Sequence, residues 1–106
     1  FQFRELTSWL ATLGPNRIVA GDFNMEPADP LWSEWSPHYA DVWAGVTGTT
    51  GDQGYTKDKR SGTNLPGRID YMFIPAGSTR IGVQQMSVVK TVLSDHHLLP
   101  ADYVIK

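Results

Sequence analysis

The chain has 106 residues, enough for one hydrophobic core and not for two. Its 41% hydrophobic and 19% charged residues exclude a disordered chain, and a net charge of −2 excludes coating of nucleic acid by bulk electrostatics, which needs a surplus of Lys and Arg. The absence of cysteine rules out disulfides and thiolate metal sites, so metal chemistry is left to oxygen and imidazole donors.

No apolar run approaches the roughly 20 residues of a membrane span. The first segment, FQFRELTSWLATLG, also lacks the uninterrupted apolar centre of a signal peptide. The chain as given therefore reads as soluble, with its compartment undetermined. A start at Phe1 instead of Met suggests a processed, excised or partial sequence.

In chain order, Phe3, Leu6, Leu10 and Leu13 recur near the helical period with Trp9 beside them, which predicts a helix over 3–13 ended by Gly14-Pro15. RIVAG, 17–21, is a β-branched run that predicts a buried strand. In PADPLWSEWSP, 27–37, Asp29 is an N-cap with Pro30 at the first helical position, so a short helix follows. From Asp41 to Gly54 periodicity is lost and loop is expected. The stretch 55–67 is polar, basic and rich in turn formers. RIDYMFIP, 68–75, returns to strand, and 80–93 reads as a strand with a bulge or bend. A last strand runs from about Ala101 to Ile105. The total is two helices and four or five strands in one α/β domain. The four tryptophans, Trp9, Trp32, Trp35 and Trp43, read as core or interface aromatics.

Polar residues are fused to the ends of these apolar strands. Asp22 and Asn24 follow RIVAG, Asp70 interrupts RIDYMFI, and Ser94-Asp95-His96-His97 precedes the last strand. Only VAGDFN has the position just past a strand's carboxyl end where α/β proteins place ligands. Taken alone, Gly-Asp-Phe-Asn is also ordinary turn chemistry. Asp70 needs a partner, because its neighbours are apolar and an unpaired buried carboxylate is costly. His96 or His97 can supply it, since a carboxylate accepting from one ring N–H fixes the tautomer and leaves the other nitrogen for a substrate. Asp22 suits a hard cation or a water proton, and the Asn24 amide both donates and accepts. These are the parts of a hydrolytic site.

GDFN at 21–24, RIDY at 68–71 and SDHH at 94–97, in this order, resemble the C-terminal motifs of the endonuclease/exonuclease/phosphatase superfamily, which includes proteins similar to deoxyribonuclease I. The resemblance covers nearly the whole chain. It implies a metal-dependent phosphoester hydrolase, with Asp22 orienting or deprotonating the attacking water and Asn24 holding the phosphate or the nucleophile. It further implies that Asp70 pairs with His96 and that His96 contacts the phosphoryl oxygen. The implied cofactor is Mg²⁺ or Mn²⁺, with Asp22 and Asn24 as ligands and Asp95 in the metal's neighbourhood. Arg68, with the basic loop Lys57, Lys59 and Arg60, is a candidate substrate-facing group. His97 reads as structural or surface. Asp95-His96-His97 also spells the signature of another phosphoesterase family, but the accompanying Asp and His clusters are missing from the sequence.

Family domains are about twice this length, and the metal-binding Glu of their N-terminal half has no match in Glu5 or Glu26. The expected architecture for 1–106 is therefore the C-terminal half of a four-layer α/β sandwich, with a mixed sheet of four to five strands and two helices. Its bare sheet face is expected to pair with a second copy, as a homodimer, or with a separate N-terminal half. The substrate class stays open among nucleic acid, inositol phosphates and phospholipid head groups. The competing reading is a catalytically silent assembly or binding module.

Overall fold

The computed structural model describes residues 3–13, 17–45, 49–50, 54–58, 66–91 and 94–105. Helix α1, Phe3–Leu10, buries Phe3 and Leu10. Its end tightens into i→i−3 bonds, from Thr12 N to Trp9 O and from Leu13 N to Leu10 O, which stops the helix before Leu13. Leu13 is accordingly exposed, as is Trp9 at 60%, so Trp9 is no part of this chain's core.

Strand β1, Val19–Asp22, is followed by a 3-10 turn at Pro30–Glu34. Asp29 caps that turn, its side chain accepting from Leu31 N at 2.9 Å. The cap falls where the sequence predicts it, but the element is 3-10 and not α. With Pro37 close behind and a single turn to form, i→i−3 bonds suffice.

The stretch expected to be loop after Asp41 contains regular structure at its start. Strand β2, Tyr39–Asp41, leads directly into the one-turn helix α2, Val42–Gly45, and strand β3 follows at Thr49–Thr50. Elements of two to four residues are too short to carry a period. Strands β4, Asp70–Pro75, β5, Ile81–Ser87, and β6, Ala101–Ile105, complete the chain. The predicted bulge lies between Val83 and Gln85, and residues 92–93 of the predicted 80–93 strand lie outside the described residues.

The strands form two three-stranded sheets in place of one mixed sheet. The first has the order β1-β4-β2 and is antiparallel throughout. The second has the order β3-β5-β6, with β3 parallel and β6 antiparallel to β5. Alternation along β4 decides what each face of the first sheet meets. Tyr71 and Phe73 join Phe3, Leu10, Phe23, Met25, Trp35 and Tyr39 in an aromatic core under α1 and the 3-10 turn. Phe23 meets Phe73 edge-on at 5.1 Å and Trp35 stacks on Tyr39 at 4.4 Å, geometries worth roughly 0.5–1.5 kcal/mol each beyond their buried area. Asp70, Met72 and Ile74 share the opposite face. There the Tyr103 hydroxyl of β6 donates to Met72 Sδ at 3.1 Å, so the second sheet meets the first on the side away from the aromatic core.

Candidate active site

The site starts at the carboxyl end of β1. In Asp22-Phe23-Asn24 the middle side chain is buried in the aromatic core, while its neighbours are exposed. Phe23 N extends the ladder by donating to Ile69 O at 2.9 Å. Asn24 then takes the left-handed conformation, φ 53, which Asn tolerates better than other non-glycine residues, and its N–H donates to Asp22 Oδ1 at 2.8 Å. The Asp22 carboxylate is thereby tied to its own turn, with Oδ2 directed elsewhere.

Antiparallel pairing places Asp70 directly across from Asp22. The third residue comes from a distant segment. Ser94 Oγ accepts from His96 N at 3.3 Å, and residues 56–57 lie between 67 and 96 as a short ribbon, with bridges from Lys57 to both Gly67 and His96. This sets His96 Nδ1 at 2.6 Å from Asp70 Oδ2 and Nε2 at 3.7 Å from Asp22 Oδ2. A carboxylate only accepts, so Nδ1 carries the proton. Nε2 is the nitrogen that remains, beyond direct hydrogen-bonding distance of Asp22. Asp70 and His96 are largely covered, and Asp22 is half exposed.

Asp22, Asp70 and His96 each offer a ligand atom, all within 4.8 Å of one another. Of the other candidates, Asn24 lies beside this cluster on the turn. Asp95 is exposed and meets Lys57 Nζ at 3.7 Å. Arg68 is buried and its guanidinium is engaged elsewhere: Nη1 donates to Asp41 Oδ1 at 3.1 Å, Nη2 to Asp41 Oδ2, and the group lies over the Tyr71 ring at 4.7 Å. A fork committed to a carboxylate is not presented to a substrate. Gly54 explains the close fit of this region: its φ is 80, and a Cβ there would lie 2.7 Å from both Arg68 Cδ and Trp43 Cε2. Lys59 and Arg60 lie outside the described residues.

His97 is satisfied within the fold. Thr91 N donates to Nδ1 at 3.1 Å, so Nε2 carries the proton and donates to Asp58 Oδ1 at 2.8 Å. Sequence reasoning passes over Thr56, which is wholly buried within the polar 55–67 stretch. Its signal is weak, a lone Thr in a polar stretch rich in turn formers.

Residues 1–96 match the model of the endonuclease/exonuclease/phosphatase family. The chain belongs to that family. Its fold agrees with three solved structures. An endonuclease/exonuclease/phosphatase from Bacteroides vulgatus has a TM-score of 0.77 at 21% identity, over 97% of this chain and 42% of that one. A functionally unknown conserved protein from Enterococcus faecalis has a TM-score of 0.70 at 22% identity, over 98% and 41%. A mannosyl-6-phosphatase from Bacteroides thetaiotaomicron has a TM-score of 0.66 at 15% identity, over 96% and 42%. The family member described here thus spans about two-fifths of each of these chains, and at such identities the likeness is one of fold. No curated protein matches. Among the described residues no helix is long and apolar enough to cross a membrane.

Proposed function

We propose that this region belongs to a metal-dependent phosphoester hydrolase and carries the acid–base part of its site. The reading rests on one observation above others: the His96–Asp70 pair at 2.6 Å, with Nε2 aimed at Asp22 from 3.7 Å, in a chain of this family. Hydrolysis forms a bond from water oxygen to phosphorus and breaks the bond to the leaving oxygen. Asp22, half exposed at the end of its strand, orients the water and takes its proton. The Asn24 amide, beside it, holds the phosphoryl group or the nucleophile. His96, in its protonated form, donates from Nε2 to the phosphoryl oxygen on which charge grows, while Asp70 keeps the ring from turning.

The donor set suits a hard divalent ion. The clustered donors are Asp22, Asp70 and His96, and carboxylate oxygens with one imidazole are acceptable to Mg²⁺ or Mn²⁺; in this reading Asp22 and Asn24 would hold the ion, with Asp95 at the margin. When bound, such an ion supplies positive charge that stabilises the attacking and leaving oxygens. The substrate is a phosphoester, with nucleic acid, inositol phosphate and phospholipid head groups as the classes to compare.

The same reading treats residues 1–106 as the C-terminal half of a four-layer sandwich, completed by an N-terminal half or by a second copy. The exposed Leu98 and Ile105, at 59% and 64%, are the apolar surface such a partner would cover. Light scattering tests the second copy, and a well-folded monomer with cooperative unfolding counts against it.

Hydrolysis of bis-p-nitrophenyl phosphate and p-nitrophenyl phosphate with Mg²⁺ or Mn²⁺ tests the activity, with Asp22→Ala and His96→Ala as controls. Turnover lost by roughly 10²-fold or more in both variants supports the enzyme. A second reading, a silent binding module, is favoured by one feature: Asp70 and His96, two of the three clustered donors, are already engaged with each other. Absence of turnover with either metal would select it.

A further inference from the structure

We propose that Thr56 is a positioning residue that holds both members of the Asp70–His96 pair. Thr56 is fully buried, and it bonds to the backbone on both sides of that pair. Its Oγ1 accepts from Asp70 N at 3.2 Å and from Ile69 N at 3.4 Å. Its carbonyl accepts from His97 N at 2.7 Å, and its own N–H donates to Gly67 O at 3.0 Å. One residue therefore fixes where Asp70 leaves the strand and where the His96-His97 segment docks.

The reason for a hydroxyl here lies in the sheet. Strand β2 pairs with β4 only at Phe73–Pro75, and β1 takes the other side. Ile69 faces β1 through its carbonyl, so the N–H of Asp70 is the group on the β2 side with no β2 carbonyl to meet, and the Thr56 hydroxyl supplies the acceptor that a longer β2 would have supplied. A β-branched side chain suits the task, since its restricted χ1 keeps the oxygen in place. The neighbours of His96 are tied to the same ribbon, Asp95 to Lys57 and His97 to Asp58, so the imidazole is braced from both directions.

This inference rests on the hydrolytic reading for its catalytic meaning, but the test does not need turnover. Thr56→Val removes the oxygen at nearly constant volume, and Thr56→Ser keeps it. In the unmodified protein the Nδ1–H proton of His96, assigned by its loss in His96→Ala, is expected as a downfield resonance of a carboxylate-bonded imidazole. Thr56→Val is expected to shift this resonance upfield or broaden it away, and Thr56→Ser to retain it. If turnover is present, kcat falls about tenfold or more in Thr56→Val with KM little changed, and recovers in Thr56→Ser. A folded Thr56→Val protein with an unaltered His96 resonance overturns the proposal. Should Thr56→Val fail to fold, hydrogen exchange on the unmodified protein decides. A protected Asp70 amide supports the hydroxyl bond, and one that exchanges like an exposed amide overturns it.

Discussion

Asp22 and Asp70 stand directly opposite each other in the β1–β4 ladder, two carboxylates at a cross-strand position where like charges repel. The His96 ring lies against both, close to Asp70 and farther from Asp22. A sheet selected for pairing alone would not oppose these residues, so the strand pair carries an electrostatic cost here.

Asp22→Asn keeps an oxygen to accept from Asn24 N while removing the charge. The fold is expected to gain about 0.2–1 kcal/mol as the repulsion is relieved, and hydrolysis to fall. Thermal unfolding beside the nitrophenyl ester assay reads both. A destabilised variant would mean that His96 draws on the Asp22 charge more than Asp70 resists it.

Asn24 separates conformation from chemistry. Its φ of 53 favours glycine, so Asn24→Gly should preserve stability, whereas Asn24→Ala should lose about 1 kcal/mol to left-handed strain. Denaturant unfolding measures the difference. If the amide takes part in hydrolysis, both variants lose activity equally despite their different stabilities.

Arg68→Ala leaves Asp41 without its fork and removes a cation from the Tyr71 face. Breaking such a pair from one side is expected to destabilise the protein by about 3 kcal/mol. Restoring volume on both sides with Arg68→Met and Asp41→Leu should recover part of that loss. Unfolding midpoints check the prediction, and a changed KM with unchanged stability would return Arg68 to the substrate.

Burial pushes the Tyr71 hydroxyl far above its ordinary value of 10.0, and burial also raises Tyr103. Above about pH 10 the unfolded chain loses these protons while the folded protein keeps them. The folded state then binds more protons, and stability falls as pH rises. Their contribution is intact below that pH and fades above it. Tyr71→Phe should flatten the alkaline decline while costing about 1–3 kcal/mol at neutral pH, because Met25 O and Arg68 O lose their donor. Melting curves from pH 8 to 11, with tyrosinate absorbance, test both effects.

The legible parts of the molecule were those with a period or a charge out of place. Helix α1, strand β4 and strand β6 announce themselves through apolar spacing, and Asp70 through a carboxylate inside an apolar run that demanded a partner. Strand β2 and helix α2 were not legible, because three- and four-residue elements owe their existence to β4, far along the chain. The role of Arg68 was hidden for the same reason: its partner Asp41 lies in the segment where no pattern could be read. The division of strands between two sheets likewise depends on contacts such as Tyr103 to Met72, which leave no local trace.

The late position of His96 also bears on synthesis. Asp22 and Asp70 emerge from the ribosome well before the histidine that lies against them, and the ribbon at 56–57 waits for His97 to dock on Thr56. A chain that ends between Phe73 and His96 contains every residue of the aromatic core yet holds only the two opposed carboxylates. The His96–Asp70 contact comes into being only after translation has passed His97, so shorter products lack it.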